Sequence, residues 1–451
     1  MQHDAASDDN GTPLNRVMGV RGVASASFNG IVGVGIFGLP GLVAAVLGPA
    51  AILAYGVCLI LIALLGLCFA EAGSRVSEPG GLYAYARAAY GPVMSGVAGM
   101  LILVANTLAS SAALARFLID ALASLWPVLG TGGVSIALLA AFYACLAIVN
   151  VRGARGGARL TAVMAVLKLA PLVLLVAVGV FAIRPVNLAW SGMPSLAALG
   201  QGAVILVFAF VGIETGLNTG GETRDPARTI PRAILLTLTM VAALYIGLQL
   251  VAQGVLGPAL ASESAPLVAA ATRVFGPRAT TLMIVLSAVS AAGFLVADML
   301  SSPRVAFALA EHGQLPAVLA RVHPRYATPS VAILAYAGVA FVLAASGTFK
   351  QLVVLASSGS LILYALSCIG VLRLRARRVA MAGPPFVAPG GAIVPIAAAT
   401  LIAALLWTLA WSELVAAIGL VAVSATGYWL LARRRGVIQG AVGDDRASSR
   451  L

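Results

Sequence analysis

The chain has 451 residues, of which 61% are hydrophobic and 10% charged, with a formal net charge of +13 and a mean hydropathy of +1.02. Soluble domains carry about 25% charged residues, so the composition argues against a soluble enzyme or a nucleic-acid-binding module and for a chain dissolved in lipid.

Residues 1–24 form a polar tail containing Asp4, Asp8 and Asp9. The tail lacks the basic start and short apolar core of a cleaved signal, so the N-terminus is expected to stay in the cytoplasm. Apolar stretches near the ~20 residues needed to cross hydrocarbon follow. They lie at about 25–47, 50–70, 92–118, 133–150, 160–183, 196–217, 233–255, 280–301, 329–346, 351–371, 391–408 and 412–432. The expected fold is therefore an all-α polytopic membrane protein with twelve transmembrane helices. A cytoplasmic tail, residues 433–451, closes the chain.

The first span carries Gly33-Val34-Gly35-Ile36-Phe37-Gly38, a G-x-G-x-x-G sequence. In a soluble chain this would suggest a dinucleotide-binding turn, with an acidic residue about 20 positions on. Here it sits in apolar sequence, Leu53 stands at that distance, and the next carboxylate is Glu71. Glycine-broken backbone inside a membrane helix fits better. Span 6 echoes it in Phe208-Ala209-Phe210-Val211-Gly212-Ile213-Glu214-Thr215-Gly216, five spans later. Paired glycine-interrupted spans in two halves point to a transporter site. An odd offset inverts the second copy. The expected units are a first repeat over 25–183, a second over 184–371, and two additional helices over 372–432. A broken helix exposes N–H groups that favour a carboxylate and carbonyls that favour an ammonium. Glycines serving only close helix packing are the plainer alternative.

With the N-terminus inside, 22 of the 28 Lys and Arg fall on the even connections and tails, 5 on the other side, and Lys168 within span 5. That asymmetry satisfies the positive-inside rule. Cys58, Cys68, Cys145 and Cys368 lie in or at the edges of spans without metal-ligand spacing and read as small buried hydrophobes. His3, His312 and His323 fall outside the spans, so no histidine relay crosses the membrane. No metal site and no cofactor is expected.

Three motifs together resemble the amino acid–polyamine–organocation transporter superfamily, over roughly residues 15–435. They are Gly33-Val34-Gly35-Ile36-Phe37, Pro79-Gly80-Gly81-Leu82-Tyr83-Ala84-Tyr85, and Phe208 to Glu214 continuing through Glu222-Thr223-Arg224-Asp225-Pro226 to Ala233. The resemblance implies a five-plus-five inverted repeat with broken helices 1 and 6, and alternating access. It also implies that the substrate carboxylate meets amides around Val34, Gly35 and Ile36, and its amino group the carbonyls of Ile31, Phe208 and Val211. Phe208 then closes over substrate, while Phe294 and Asn106 line the side-chain pocket, with Ser357 and Ser358 nearby. For both phenylalanines ordinary core packing is the plainer alternative. Valine at 34 cannot donate a side-chain hydrogen bond, which leaves anion recognition to the backbone.

Ionisable groups inside the spans are few. Lys168, one of two lysines, costs about 2.5–3.5 kcal/mol at a helix centre on insertion scales and should face a partner or water. It reads as a proton carrier or as a static cation. The resemblance places its ammonium where sodium-dependent relatives hold sodium, with the hydroxyl of Ser290 nearby. Glu214 would either titrate as the site opens or brace the break by accepting backbone N–H bonds. Asp298, one turn beyond Phe294, is expected to partner a cation such as Arg304 or to line the inner vestibule. Glu71, at a span end, demands no functional account. The mixed-charge segment Glu222, Arg224, Asp225, Arg228 and Arg232 reads as an inner gate or docking surface.

The expected function is secondary active transport of an amino acid or related amine in the cell membrane, proton-coupled and sodium-independent. The partners would be the small-molecule substrate, protons and lipid, with no nucleic acid. An amino acid/amine exchanger is the alternative, and a nutrient sensor or channel on the same fold ranks below it. A membrane enzyme would need a catalytic constellation that the spans lack. The pocket residues lean toward neutral or aromatic substrates, although cation–π contacts could hold a basic one.

Overall fold

The computed structural model describes residues 18–33, 35–76, 81–152, 169–190, 192–214, 217, 223–311, 313–381, 383–416, 418–419, 422 and 426. Among them the chain is helical, apart from turns and one isolated bridge between Met18 and Thr223. Six helical runs are long and apolar enough to cross a membrane, and five apolar helices of 10–17 residues accompany them. The protein is thus a multi-pass membrane protein. Its outward faces carry large apolar side chains such as Ile60, Leu174, Leu196 and Trp407, as a lipid-facing surface requires.

The first apolar segment is two helices, α1 (Val20–Ile31) and α2 (Gly35–Leu47), separated by a break at Val32 and Gly33. A tight 3₁₀ turn over Gly48–Ala50 carries the chain into α3 (Ala51–Arg75). Next come α4 (Gly81–Tyr90) and α5 (Pro92–Leu101), which continues through a π-helical stretch, Ile102–Ala109, into α6 (Ser110–Ala123). After α7 (Gly132–Arg152) and α8 (Leu169–Ala182) comes α9 (Leu196–Phe210), whose N-cap Ser195 accepts from the amide of Ala198 at 3.2 Å. It stops where Gly212 takes φ +107°, a conformation open to glycine and disfavoured for side-chain-bearing residues.

The second half follows with α10 (Pro226–Leu256), α11 (Pro266–Phe275), α12 (Arg278–Glu311), α13 (Ser330–Ser346), α14 (Phe349–Ala376) and α15 (Ile393–Trp407). Helix α14 opens on a capping box in which Thr348 and Gln351 satisfy each other's backbone N–H. The sequence reading did not anticipate α4 and α11. At 10 residues each, they extend about 15 Å, half of what hydrocarbon demands.

One expectation for the cysteines is corrected. Cys58, Cys68 and Cys368 are buried, but Cys145 is exposed, because its position on α7 faces outward like Ile136 and Ile148.

Candidate functional site

The two glycine-marked breaks meet. A Cβ on Gly212 would stand 2.5 Å from the carbonyl oxygen of Gly30, so the turn after α9 lies directly on the end of α1. A Cβ on Gly35 would stand 2.9 Å from the ring of Phe208, which puts that phenylalanine against the first turn of α2. Ser27 donates to the carbonyl of Ile213 at 3.2 Å and ties the same two segments. The first N–H groups of α2, including those of Gly35 and Ile36, have no acceptor within their own helix. Just upstream in the chain, α1 ends in carbonyls.

Those carbonyls are partly engaged. The Ile31 oxygen accepts from the Gly33 amide at 2.7 Å and lies 3.0 Å from the phenol of Tyr245, which is also 3.1 Å from the Ala209 oxygen. Tyr245 is fully buried on α10 and bridges the ends of both interrupted helices. The Phe208 oxygen accepts from the Val211 amide at 3.3 Å.

A polar cluster flanks the breaks. Asn106, on the π-helical stretch, donates through Nδ2 to Glu214 Oε1 at 2.5 Å and accepts from Ser360 of α14. The other carboxylate oxygen accepts from Tyr364 at 3.1 Å and from the Gly212 amide at 3.2 Å. The backbone-bracing bond considered for Glu214 is therefore present. Three elements converge on one carboxylate: the π-helical stretch, the α9 break and α14. A π-helical turn widens the helix and commonly marks a functional position; here it carries Asn106.

Sequence reasoning placed Asn106, Phe208, Val211, Glu214, Gly35 and Ile36 in this neighbourhood, and the structure brings these residues around the paired breaks. Val34 and Lys168 lie outside the described residues. Ser290 of α12 is buried, as is Ser357 of α14, and neither hydroxyl has a hydrogen-bond partner among the described residues. A buried hydroxyl left unpaired costs about 1–3 kcal/mol, which marks both as acceptors or donors awaiting a partner. Phe294 is half-buried and packs against the core.

Tyr245, Ser360 and Tyr364 were missed. The run Ser357-Ser358-Gly359-Ser360, with a phenol one turn later, was the available signal.

Two further carboxylates stand apart from this cluster, and for one of them the expected partner Arg304 is corrected. Asp298 is buried and pairs with the hydroxyls of Ser302 at 2.5 Å and Tyr336 at 2.7 Å, while Arg304 is exposed and makes no ion pair with it. Six residues along a helix put Arg304 on another face, and four put Ser302 on the same one. Glu71 is fully buried between Arg75 (2.8 Å) and Arg375 (2.5 Å) and accepts from the Ala388 amide at 2.9 Å. It is a structural lock at the span end, a role that asks for no part in transport.

Comparison with known proteins follows the same line. A family profile described as amino acid permease matches residues 18–430. A serine/threonine exchanger of Bacillus subtilis is 31% identical over 349 residues, covering 72% of this chain and 75% of the relative. A branched-chain amino acid permease of the same organism is 25% identical over 439 residues, covering 93% and 94%. An uncharacterized transporter of Mycobacterium tuberculosis is 31% identical over 364 residues, covering 80% and 81%.

Proposed function

The chain belongs to the amino acid permease family, and from that premise we propose that it is a proton-coupled, sodium-independent carrier of amino acids working by alternating access in the cell membrane. Proteins of this family are transporters and not enzymes. The observation that carries the finer reading is the contact of the two breaks, Gly30 against Gly212 and Gly35 against Phe208, with a carboxylate tethered alongside.

In this reading the fold is twelve spans in a five-plus-five inverted repeat, over 25–183 and 184–371, with two helices added over 372–432 and both tails cytoplasmic. The substrate carboxylate docks on the amides at Val34, Gly35 and Ile36, where a helix N-terminus favours negative charge. Its ammonium takes the carbonyls of Ile31, Phe208 and Val211. The Ile31 oxygen becomes available when Tyr245 swings from it to the Ala209 oxygen alone, a shift of one hydrogen bond. Phe208 covers the bound molecule, and Asn106 and Phe294 border its side chain. Glu214 joins the π-helical stretch, the α9 break and α14 through neutral donors, so opening the break must exchange those bonds. That gives the carboxylate a gating role.

Lys168 and Ser290 complete the reading as the proton-coupling pair. Relatives named for serine and threonine or for branched-chain amino acids support a reading with neutral amino acids first among substrates. The test is uptake of labelled leucine, isoleucine, valine, serine and threonine into proteoliposomes under an imposed pH gradient, with the polyamine putrescine as the exchanger control. Accumulation of a neutral amino acid that is lost in Lys168→Ala supports the reading. Unchanged gradient-driven accumulation in that variant removes Lys168 from coupling, and absence of any amino acid flux removes the carrier reading itself.

A further inference from the structure

The protein holds a second polar centre, built around a carboxylate that the substrate site described above does not include. Asp298 of α12 lies buried where α12 packs on α6, α7 and α13. Oδ1 accepts from Ser302 and Oδ2 from Tyr336 of α13. The Ser111 hydroxyl of α6 stands beside the carboxylate and bonds in turn with Tyr143 of α7 at 3.2 Å. The Thr107 hydroxyl, from the π-helical stretch, stands beside the Tyr336 phenol. The titratable groups facing Asp298 are thus two phenols, Tyr336 and Tyr143. The π-helical stretch and α6 contribute neutral hydroxyls, and among the described residues no Lys or Arg from α5, α6, α7, α11 or α13 forms an ion pair with it.

Three carboxylates, Glu71 and Asp298 buried and Glu214 half-buried, differ in the chemistry of their partners. Guanidinium groups hold Glu71, and such donors have no lone pair to offer a protonated acid. Glu214 takes an amide NH₂ and a backbone N–H, also donors only, beside one phenol. Among the described residues every side chain that reaches Asp298 is a hydroxyl, which donates or accepts by rotation. An ionised Asp298 accepts from Ser302 and Tyr336. A protonated Asp298 donates its new O–H to Ser302 Oγ, whose own hydrogen turns to the carbonyl one helical turn back, the common partner of a helical serine. Both states are satisfied without breaking the cluster. The oxygens already touch at 2.5 and 2.7 Å, which leaves no room for a metal cation between them.

We propose that Asp298 is a membrane-embedded protonation site: its carboxylate binds one proton to give the acid and returns it, and this exchange is geared to the motion of α12 and α13 against α6. The π-helical stretch makes the link to the first site. Asn106 bonds Glu214, and its neighbour Thr107, whose hydroxyl donates to the Leu103 carbonyl, lies in the vicinity of the Tyr336 phenol. A shift in that stretch therefore disturbs both carboxylates together. The coupling half of this inference rests on the carrier reading; the protonation half does not.

The full-length protein in lipid nanodiscs, taken through a pH titration by infrared difference spectroscopy, tests it. A protonated-carboxyl band sensitive to H/D exchange is expected in the wild type, kept in Glu214→Gln and lost in Asp298→Asn. An Asp298→Asn difference spectrum identical to wild type overturns the proposal. So does a band that responds to exchanging sodium for choline at fixed pH, since it would assign the site to a metal cation. Should Asp298→Asn fail to give a monodisperse protein, Tyr336→Phe decides. Displacement of the band's midpoint by about one pH unit supports the site, and an unmoved midpoint overturns it. In proteoliposomes carrying labelled leucine or serine, Asp298→Asn is expected to lose gradient-driven accumulation at least tenfold while retaining counterflow. Full accumulation in that variant overturns the coupling. If the wild type moves no amino acid, the carrier reading fails while the infrared result still stands for or against Asp298.

Discussion

Glu71 and Glu214 are both carboxylates in spans of an overwhelmingly apolar chain, yet their surroundings differ in kind. Glu71 closes the end of α3 onto α14 and the segment after it: two arginines and the Ala388 amide fill its oxygens, Ser74 accepts from the Phe386 amide, and Arg75 reaches the Val379 carbonyl. Opposite full charges compensate one another there. Glu214 has no cation among its described partners, only an amide, a phenol and a backbone N–H from segments that a broken-helix carrier must move apart. A buried pair of full charges is costly to break from one side, whereas a neutral hydrogen bond contributes a net ~1 kcal/mol. On the proposed carrier reading, the first stays shut and the second is exchanged.

Removing one side of the lock is the harshest way to break this contrast. Glu71→Ala leaves Arg75 and Arg375 facing each other without a counter-charge, and loss of one partner of a buried pair costs about 3–5 kcal/mol. Most of the purified variant is expected to unfold or aggregate on a fluorescence-detected sizing column after heating that the wild type survives. Arg375→Leu on top of Glu71→Leu should recover part of the loss. A Glu71→Ala variant as heat-stable as the wild type would show that the arginines find other partners and that the lock does not hold α3 to α14.

The next effect falls at the breaks. Gly212→Ala forces a side chain into φ +107° and drives its Cβ to 2.5 Å from the Gly30 carbonyl oxygen. Backbone strain of this sort costs about 1–3 kcal/mol, and the breaks must separate to relieve it. A smaller drop in melting temperature than for Glu71→Ala is expected, together with at least a tenfold loss of neutral amino acid uptake. Normal uptake would mean that the contact between the breaks is incidental to transport.

How much of this was legible follows from what a sequence pattern can encode. Glycines 33, 35 and 212 announced the breaks, because glycine clusters in an apolar span have few other uses, and Glu214 stood out as a lone carboxylate beside one of them. Asn106 was reached through the family resemblance alone. Its π-helical setting was not legible, since nothing in the composition of Ile102–Ala109 separates it from the α-helical sequence on either side. The phenols of Tyr245, Tyr336 and Tyr364 were hidden for a different reason: an aromatic side chain in a span reads as packing, and only the fold shows where its oxygen points. Arg375 could not be assigned to Glu71 because 304 residues separate them and no periodicity spans that distance. Arg304 seemed a natural partner for Asp298 by proximity along the chain, but helical geometry gave that role to Ser302.

The gentlest test separates bracing from gating at the breaks. Tyr245→Phe keeps the ring that packs edge-on to Phe210 at 5.4 Å and removes only the oxygen shared by the Ile31 and Ala209 carbonyls. The Ile31 oxygen keeps its bond from the Gly33 amide, so the cost in stability is that of one shared hydrogen bond, about 1 kcal/mol. If the phenol only braces the breaks, uptake should fall no further than this small loss of folded protein explains. If it guards the carbonyl that the substrate ammonium needs, its removal frees that acceptor, and apparent affinity for a neutral amino acid should improve up to about fivefold while maximal rate changes less. Uptake measured against substrate concentration in proteoliposomes distinguishes the two. A weakened affinity with unaltered stability would place Tyr245 in contact with substrate instead, and would redraw the site around α10 as well as the two broken helices.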